Sequence, residues 1–318
     1  MPTFSVTVPA ASAAERLDKY LVSCESVQQQ CAGLNRSKLK SIATGITVNG
    51  KDAKLSTKIR PGDSIVVDWA DNIPDHIDPE DIPLDIIYED GNVAVVNKKQ
   101  GMVTHPALGN WSGTLVNALL FHWNRESVAQ TARRPGIVHR LDKDTSGLII
   151  TGKNRESEEW LQTQFRDRRV KKEYIAIVAG RPPHASGTIK TQIIRDPRNR
   201  KRFKAETGTE NGKFAHTQYR CIACYGSFSL MRLRLKTGRT HQIRVHMKYL
   251  GCPILGDPLY GNKTQLFPDA TLMLHSRLLS IRLPGQAAFS EFKAPVPRRF
   301  KKVLKTLHGK YLKCTITR

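Results

Sequence analysis

The densest cluster of side chains able to do chemistry is Gly136-Ile137-Val138-His139-Arg140-Leu141-Asp142-Lys143-Asp144-Thr145-Ser146-Gly147. Two carboxylates, an imidazole, two cations and two hydroxyls lie between apolar Ile137-Val138 and Leu148-Ile149-Ile150. That pattern reads as a polar loop held between core strands, a place where reactive groups are commonly carried. A carboxylate between Arg140 and Lys143 would stay ionised if the fold brings those cations close. It could then act as a nucleophile or a base. On residue types alone Asp142 and Asp144 qualify equally, and a surface turn without chemistry accounts for the pattern too. A pair of carboxylates could also serve glycosidic hydrolysis, although nothing else in the sequence fits that reaction.

A second cluster lies at Thr237-Gly238-Arg239-Thr240-His241-Gln242-Ile243-Arg244-Val245-His246. Helical spacing puts Ile243, Met247 and Leu250 on one face, facing the core. His241, Arg244 and Lys248 fall on another face, and Gly251 stops the helix. The face away from the core is therefore basic. By itself it would read as a solvated charged face.

The elements around these clusters are short strands with occasional helices. Ile86-Ile87-Tyr88 and Val93-Ala94-Val95-Val96 flank Asp90-Gly91, a hairpin signal. Leu148–Ile150, Tyr174–Val178 and Leu230–Leu235 read as strands, and 115–121 and 155–165 as helices. Strands and helices mixed in this way predict an α+β domain with a mainly antiparallel sheet, over 84–310. Upstream, 14–69 reads as a small α/β unit. It has a helix from Arg16 to Val22, and a second helix capped by Asn35 or Ser37 and stopped by Gly45. An Asn49-Gly50 hairpin and a Pro61-Gly62-Asp63 turn follow. Between the two units, 70–83 is acidic and proline-containing, and reads as a linker.

The chain of 318 residues carries 51 Lys plus Arg against 28 Asp plus Glu, a net charge of +23. Such a surplus attracts polyanions: nucleic acid first, an anionic membrane surface second. No apolar run is long enough to span a bilayer, and no basic amphipathic helix with a strong apolar face suits a membrane surface. The N-terminus has no secretory pattern. Six cysteines in this length give no disulfide scaffold, so a reducing cytoplasm is expected. Cys221 and Cys224 form one C-x-x-C without the further ligands a zinc site needs, and read as buried thiols.

The run H-R-L-D-x-x-T-S-G at 139–147 resembles the nucleophile motif of RluA-type pseudouridine synthases. Thr114–Leu119, Lys172-Glu173-Tyr174-Ile175-Ala176, the run from Thr237 to His246, Gly256-Asp257-Pro258-Leu259-Tyr260-Gly261 and His275 match that family as well. One departure is visible. Asn97-Lys98-Lys99-Gln100-Gly101 has Lys99 where the family usually has proline, which should loosen the turn. The resemblance implies an RNA uridine isomerase in which Asp142 is the nucleophile, Arg244 pairs with it and Tyr174 packs against the flipped uracil. It implies that Tyr174 assists the late proton removal at C5. The reaction involves neither redox chemistry nor phosphoryl transfer, so no cofactor and no metal are expected. Arg140 would fill the gap left by the flipped base. His139, Arg239 and His241 would touch RNA, although a hydrogen bond within the loop accounts for His139 equally.

The N-terminal unit resembles an S4-type RNA-binding module, with Arg36, Lys38 and Lys40 at the matching basic positions. The tetrapeptide Arg16-Leu17-Asp18-Lys19 repeats Arg140–Lys143 without the Thr-Ser-Gly. Asp18 is read as a helix-surface carboxylate without a catalytic part. The closest likeness is to the RluD-like branch, which implies large-subunit ribosomal RNA as the partner, with transfer RNA open as a second substrate and a monomer expected. A different class of function, a non-catalytic assembly factor that binds RNA, would keep the basic surface without the chemistry.

Overall fold

In a computed structural model, which describes residues 3–31, 34–69, 76–107, 110–126, 128–129, 135–199 and 201–311, the chain forms two compact units. One is Met1–His76 with Ala107–Trp111, and the other is Ile77–Pro106 with Ser112–Arg318.

The smaller unit packs three short helices, Leu17–Ser23, Glu25–Gln30 and Arg36–Ile42, and a four-stranded antiparallel sheet. Phe4, Leu17, Leu21, Val27, Leu39, Ile65 and Val67 fill its core. The strand Ala43–Val48 turns into Lys51–Asp52 through Asn49 and Gly50, both at positive φ, as a type I′ hairpin requires. Asn35 caps the third helix, its Oδ1 accepting from Lys38 N at 2.9 Å; the Ser37 side chain lies outside the described residues. Two readings of this unit are corrected. Gly45 does not stop a helix: the helix ends at Ile42, and Gly45 lies within the next strand, where a Cβ would come 2.8 Å from Asp68 Oδ2. Asp18 is not a surface carboxylate. It is 7% exposed and gripped by Arg16 and Arg36, whose guanidiniums hold its carboxyl well below the usual range against the cost of burial.

The larger unit is built on one ten-stranded sheet, α+β in class. From one edge the strands run Phe203–Glu206, Ser186–Arg195, Lys213–Tyr225, Phe228–Leu235, Lys171–Ala179, Leu274–Arg282, Ser146–Gly152, Val93–Lys98 and Ile86–Glu89. Phe289–Lys293 pairs with Leu274–Arg282 as a tenth strand. Among the described strands the pairing is antiparallel, except where Ser146–Gly152 meets Leu274–Arg282 in parallel. Leu148, Ile149 and Ile150 are buried on both faces of their strand, which is why this run shows no alternation. Arg232 and Arg234 stand on the more open face of theirs and reach Glu173 on the neighbouring strand. Cys221 and Cys224 fall on a bulged strand with their sulfurs 3.4 Å apart, and burial pushes the Cys221 thiol up to about 12.

The helix Leu115–His122 opens on a capping box: Thr114 Oγ1 accepts from Asn117 N, and the Asn117 side chain accepts from Thr114 N. Asn117 also donates to Asp78 O, and Ile77 is 1% exposed. Residues 77–83, read from composition as linker, thus belong to the larger unit. Residues 70–75 of that stretch lie outside the described residues.

Candidate active site

The loop 139–147 buries carbonyls that each need a donor. Leu141 O accepts from the buried Thr104 hydroxyl at 3.0 Å, and Asp142 O from Thr145 N at 3.0 Å. Lys143 O accepts from Gly101 N at 2.9 Å and from Lys98 Nζ at 3.2 Å. Asp144 O accepts from Gln100 Nε2 at 3.0 Å. Four consecutive carbonyls are thus satisfied, three of them by the segment Lys98–Thr104. The turn at Lys99 is therefore not loose, and the expectation of a slack turn is corrected. Gln100 also donates to Leu272 O and accepts from Thr271, and Gly101 at φ 87° makes the bend. Lys98 is 1% exposed, donates to three carbonyls, and is pulled down to about 7 by burial, with Asp142 and Asp144 opposing. Gly147 closes the loop at φ 111°, where a Cβ would lie 2.2 Å from Ser276 O. Glycine is what allows the Thr-Ser-Gly end to lie against the strand Leu274–Arg282.

This scaffold presents the Asp142 carboxylate, 19% exposed, to Arg244 Nη1 at 3.4 Å. Arg244 comes from a distant helix, while the sequence neighbours Arg140 and Lys143 are both exposed. On the helix Gln242–Tyr249, Arg244 is not solvated: it is 4% exposed. Its burial is made tolerable by Asp257, which accepts from Nε and Nη2 at 2.8 Å each, a bidentate pair. Asp257 also accepts from Leu259 N and Tyr260 N, so Arg244 is held from behind and points one nitrogen at Asp142. Burial opposes the Arg244 charge and Asp257 more than restores it, leaving the guanidinium firmly protonated.

His241 stands at the head of this helix at φ 56°, a left-handed conformation uncommon for a side-chain-bearing residue. Its Nε2 is 3.9 Å from Asp142 Oδ2, its Nδ1 is 2.9 Å from Tyr260 Oη, and burial lowers its basicity. Tyr260 Oη in turn accepts from Phe203 N at 2.8 Å. Gln242, 2% exposed, fixes the preceding loop by accepting from Thr237 and Arg239 N and donating to His216 O and Thr217.

These groups face a cavity of about 520 Å³ lined by Asp142, Arg244, His241 and Tyr174, large enough for a nucleoside. Tyr174 is 6% exposed. Burial pushes its phenol up to about 12, with a hydrogen bond to Ser276 opposing and the Asp142 charge adding. Arg140 and Arg239 line the same cavity, Arg239 donating from Nε to Phe214 O. His139 is placed as framework: its Nε2 accepts from Ile150 N at 3.0 Å, its ring stacks on Phe165 at 4.5 Å, and burial pulls it down to about 3. Arg36, Lys38 and Lys40 belong to the smaller unit, where Arg36 is tied to Asp18. Sequence reasoning missed roles for Asp257, Tyr260, Lys98, Gln100 and Thr104. Asp257 lay inside a quoted motif, and Lys98 stood out as a charge closing the Val-rich run Val93–Val96.

A family model described as RNA pseudouridylate synthase matches residues 92–249. The "Ribosomal large subunit pseudouridine synthase D" of Borreliella burgdorferi is 45% identical over 79% of this chain and 78% of its own. Its namesake from Zymomonas mobilis is 38% identical over 96% and 98%. The Bacillus subtilis protein "Uncharacterized RNA pseudouridine synthase YlyB" is 40% identical over 96% and 99%. Among solved structures, "Human RNA Pseudouridylate Synthase Domain Containing 1" superposes with a TM-score of 0.58 at 26% identity, over 74% of this chain and 91% of its own. The chain belongs to the RNA pseudouridylate synthase family, and is an enzyme of the isomerase class that the RluA-type motif implied.

Proposed function

We propose that this enzyme converts selected uridines of large-subunit ribosomal RNA to pseudouridine, with Asp142 as the attacking carboxylate. The observation that carries the reading is the Asp142–Arg244–Asp257 line at one wall of a nucleoside-sized cavity, with Tyr174 on the same cavity. The target base leaves its stack to enter, and Arg140, exposed and two residues from Asp142, fills the gap. Asp142 then attacks as nucleophile, or as the base of a glycal route. The N1–C1′ bond breaks, the uracil turns, and a C5–C1′ bond forms. C5 loses one proton and N1 gains one, so nothing is oxidised and no other reactant is consumed.

Arg244 keeps the carboxylate aimed. Tyr174 packs against the uracil. The C5 proton leaves late, once the sugar has rejoined C5, with Tyr174 assisting its removal. The smaller unit, taken as S4-like over 14–69 with Arg36, Lys38 and Lys40 toward phosphate, holds structured RNA. The relatives named for the large ribosomal subunit support that substrate over transfer RNA.

The test is quantitative pseudouridine mapping of ribosomal and transfer RNA from cells carrying the protein or its Asp142→Asn variant. Sites absent only in the variant name the substrate and the nucleophile together. If the variant binds RNA and no site changes in either RNA, the isomerase reading fails and the assembly-factor reading replaces it.

A further inference from the structure

The cavity holds a cation that the chemistry at Asp142 leaves unused. Lys172 lies two residues before Tyr174 on the strand Lys171–Ala179, so both side chains leave the same face of the sheet, and both line the cavity. Its ammonium sits 5.4 Å from the centroid of the Phe165 ring, a cation–π distance. On the other side it lies 3.6 Å from where a Cβ would stand on Gly238. Among the described residues no carboxylate and no hydrogen-bond acceptor is recorded on its Nζ. The neighbouring Glu173 is committed to Arg234 and Arg232. Burial alone pulls Lys172 down to about 8. A half-buried ammonium without a counterion is a costly arrangement unless an anion arrives.

The rim beside it points the same way. The helix Arg155–Arg166 ends at Asp167, and Arg168 follows at φ 57°, a position where glycine or asparagine is usual. Arg168 is exposed, lines the cavity, and has no side-chain partner recorded among the described residues. Arg168 forms the left-handed stop of this helix and carries its charge at the cavity mouth.

We propose that Lys172 is the counterion for a backbone phosphate flanking the flipped nucleotide, seated between Phe165 and Gly238, with Arg168 guiding that phosphate at the rim. The inference rests on the RNA reading above. It assigns to one wall of the cavity the grip on the chain, and to the Asp142 wall the bond that breaks.

The experiment measures binding of the Asp142→Asn protein to a protein-free large-subunit rRNA transcript, across a salt series and from pH 6.5 to 9.5. Lys172→Met and Lys172→Arg are added on that background. One lost phosphate contact should weaken binding roughly 10- to 100-fold. It should also lower the slope of log affinity against log salt by about 0.7 to 0.9. With Lys172 in place, affinity should fall as pH rises above about 8, and Lys172→Arg should remove that dependence while keeping the slope. Weaker binding of Lys172→Met with an unchanged salt slope would overturn the proposal and leave Lys172 as a contact to the base or a packing residue. Failure of the Asp142→Asn protein to bind the transcript at all would instead sink the RNA reading on which this one stands.

Discussion

Removing Asp257 separates the positioning of Arg244 from its charge. In Asp257→Ala, Arg244, 4% exposed in the parent, loses two donor contacts of 2.8 Å to a carboxylate that is itself fully buried. Two hydrogen bonds to charged groups at about 1.5–3 kcal/mol each set the scale at roughly 3–6 kcal/mol. The cost of leaving one charge of a buried pair unpaired, about 3–5 kcal/mol, agrees. For a unit of this size that lowers the melting temperature by roughly 6–20 °C. Turnover should fall about 100-fold further than the lost folded fraction explains, because the guanidinium is then free to collapse onto Asp142 and misplace it. Scanning calorimetry and single-turnover isomerisation below the transition measure the two effects. The double variant Arg244→Met/Asp257→Leu should recover much of the stability and none of the turnover. If Asp257→Ala melts within about 2 °C of the parent and turns over normally, Arg244 is not oriented from behind, and the three-residue line is a coincidence of packing.

His246 and His275 are each fully buried and pulled down to about 4 by burial, whereas the unfolded chain protonates them near 6.5. Their contribution is complete above about 6.5 and is lost as pH falls toward 4, with a slope of up to about 2.7 kcal/mol per pH unit for the two; urea unfolding from pH 7 to 4.5 reads this, and a flat midpoint refutes it. Gln100→Ala frees Asp144 O, Leu272 O and the Thr271 hydroxyl at once and should cost about 2–4 kcal/mol with a fall in kcat; chemical denaturation with single-turnover assays tests it, and unchanged kinetics would show that the loop holds itself. Asp18→Ala should destabilise the smaller unit and leave the isomerisation step intact in single-turnover assays at saturating RNA; loss of that step with RNA binding preserved would reverse the assignment of the two Arg-Leu-Asp-Lys copies.

The loop 139–147 was legible because its polar groups are contiguous: Asp142, its apolar flanks and the glycine after it lie within one short run. The α+β class followed from the mixture of β-branched runs and helical patterns in the same way. What the sequence hid are contacts made across the fold. Asp257 lies 13 residues from Arg244 and only a bend brings it behind the guanidinium. Lys98 reaches the carbonyl of Lys143, the residue after Asp142, because Val93–Lys98 and Ser146–Gly152 pair as neighbours. Periodicity alone put Arg244 on a basic face away from the core, because it sees one helix and not the carboxylate packed against it. Asp18 was misplaced for the same reason: Arg36, its second partner, comes from a different helix.

The parallel contact of Ser146 and Gly147 with His275 and Ser276 sets an order of assembly. The reactive loop is synthesised near the middle of the chain, yet its last residues are held by a strand emerging about 130 residues later, and Ser146 accepts from Arg299 later still, at 2.6 Å. A ribosome-bound chain therefore carries Asp142 long before it carries the site. A chain that stopped short of the helix Arg298–Lys310 would lack the Arg299 donor that backs Ser146 at the end of this loop.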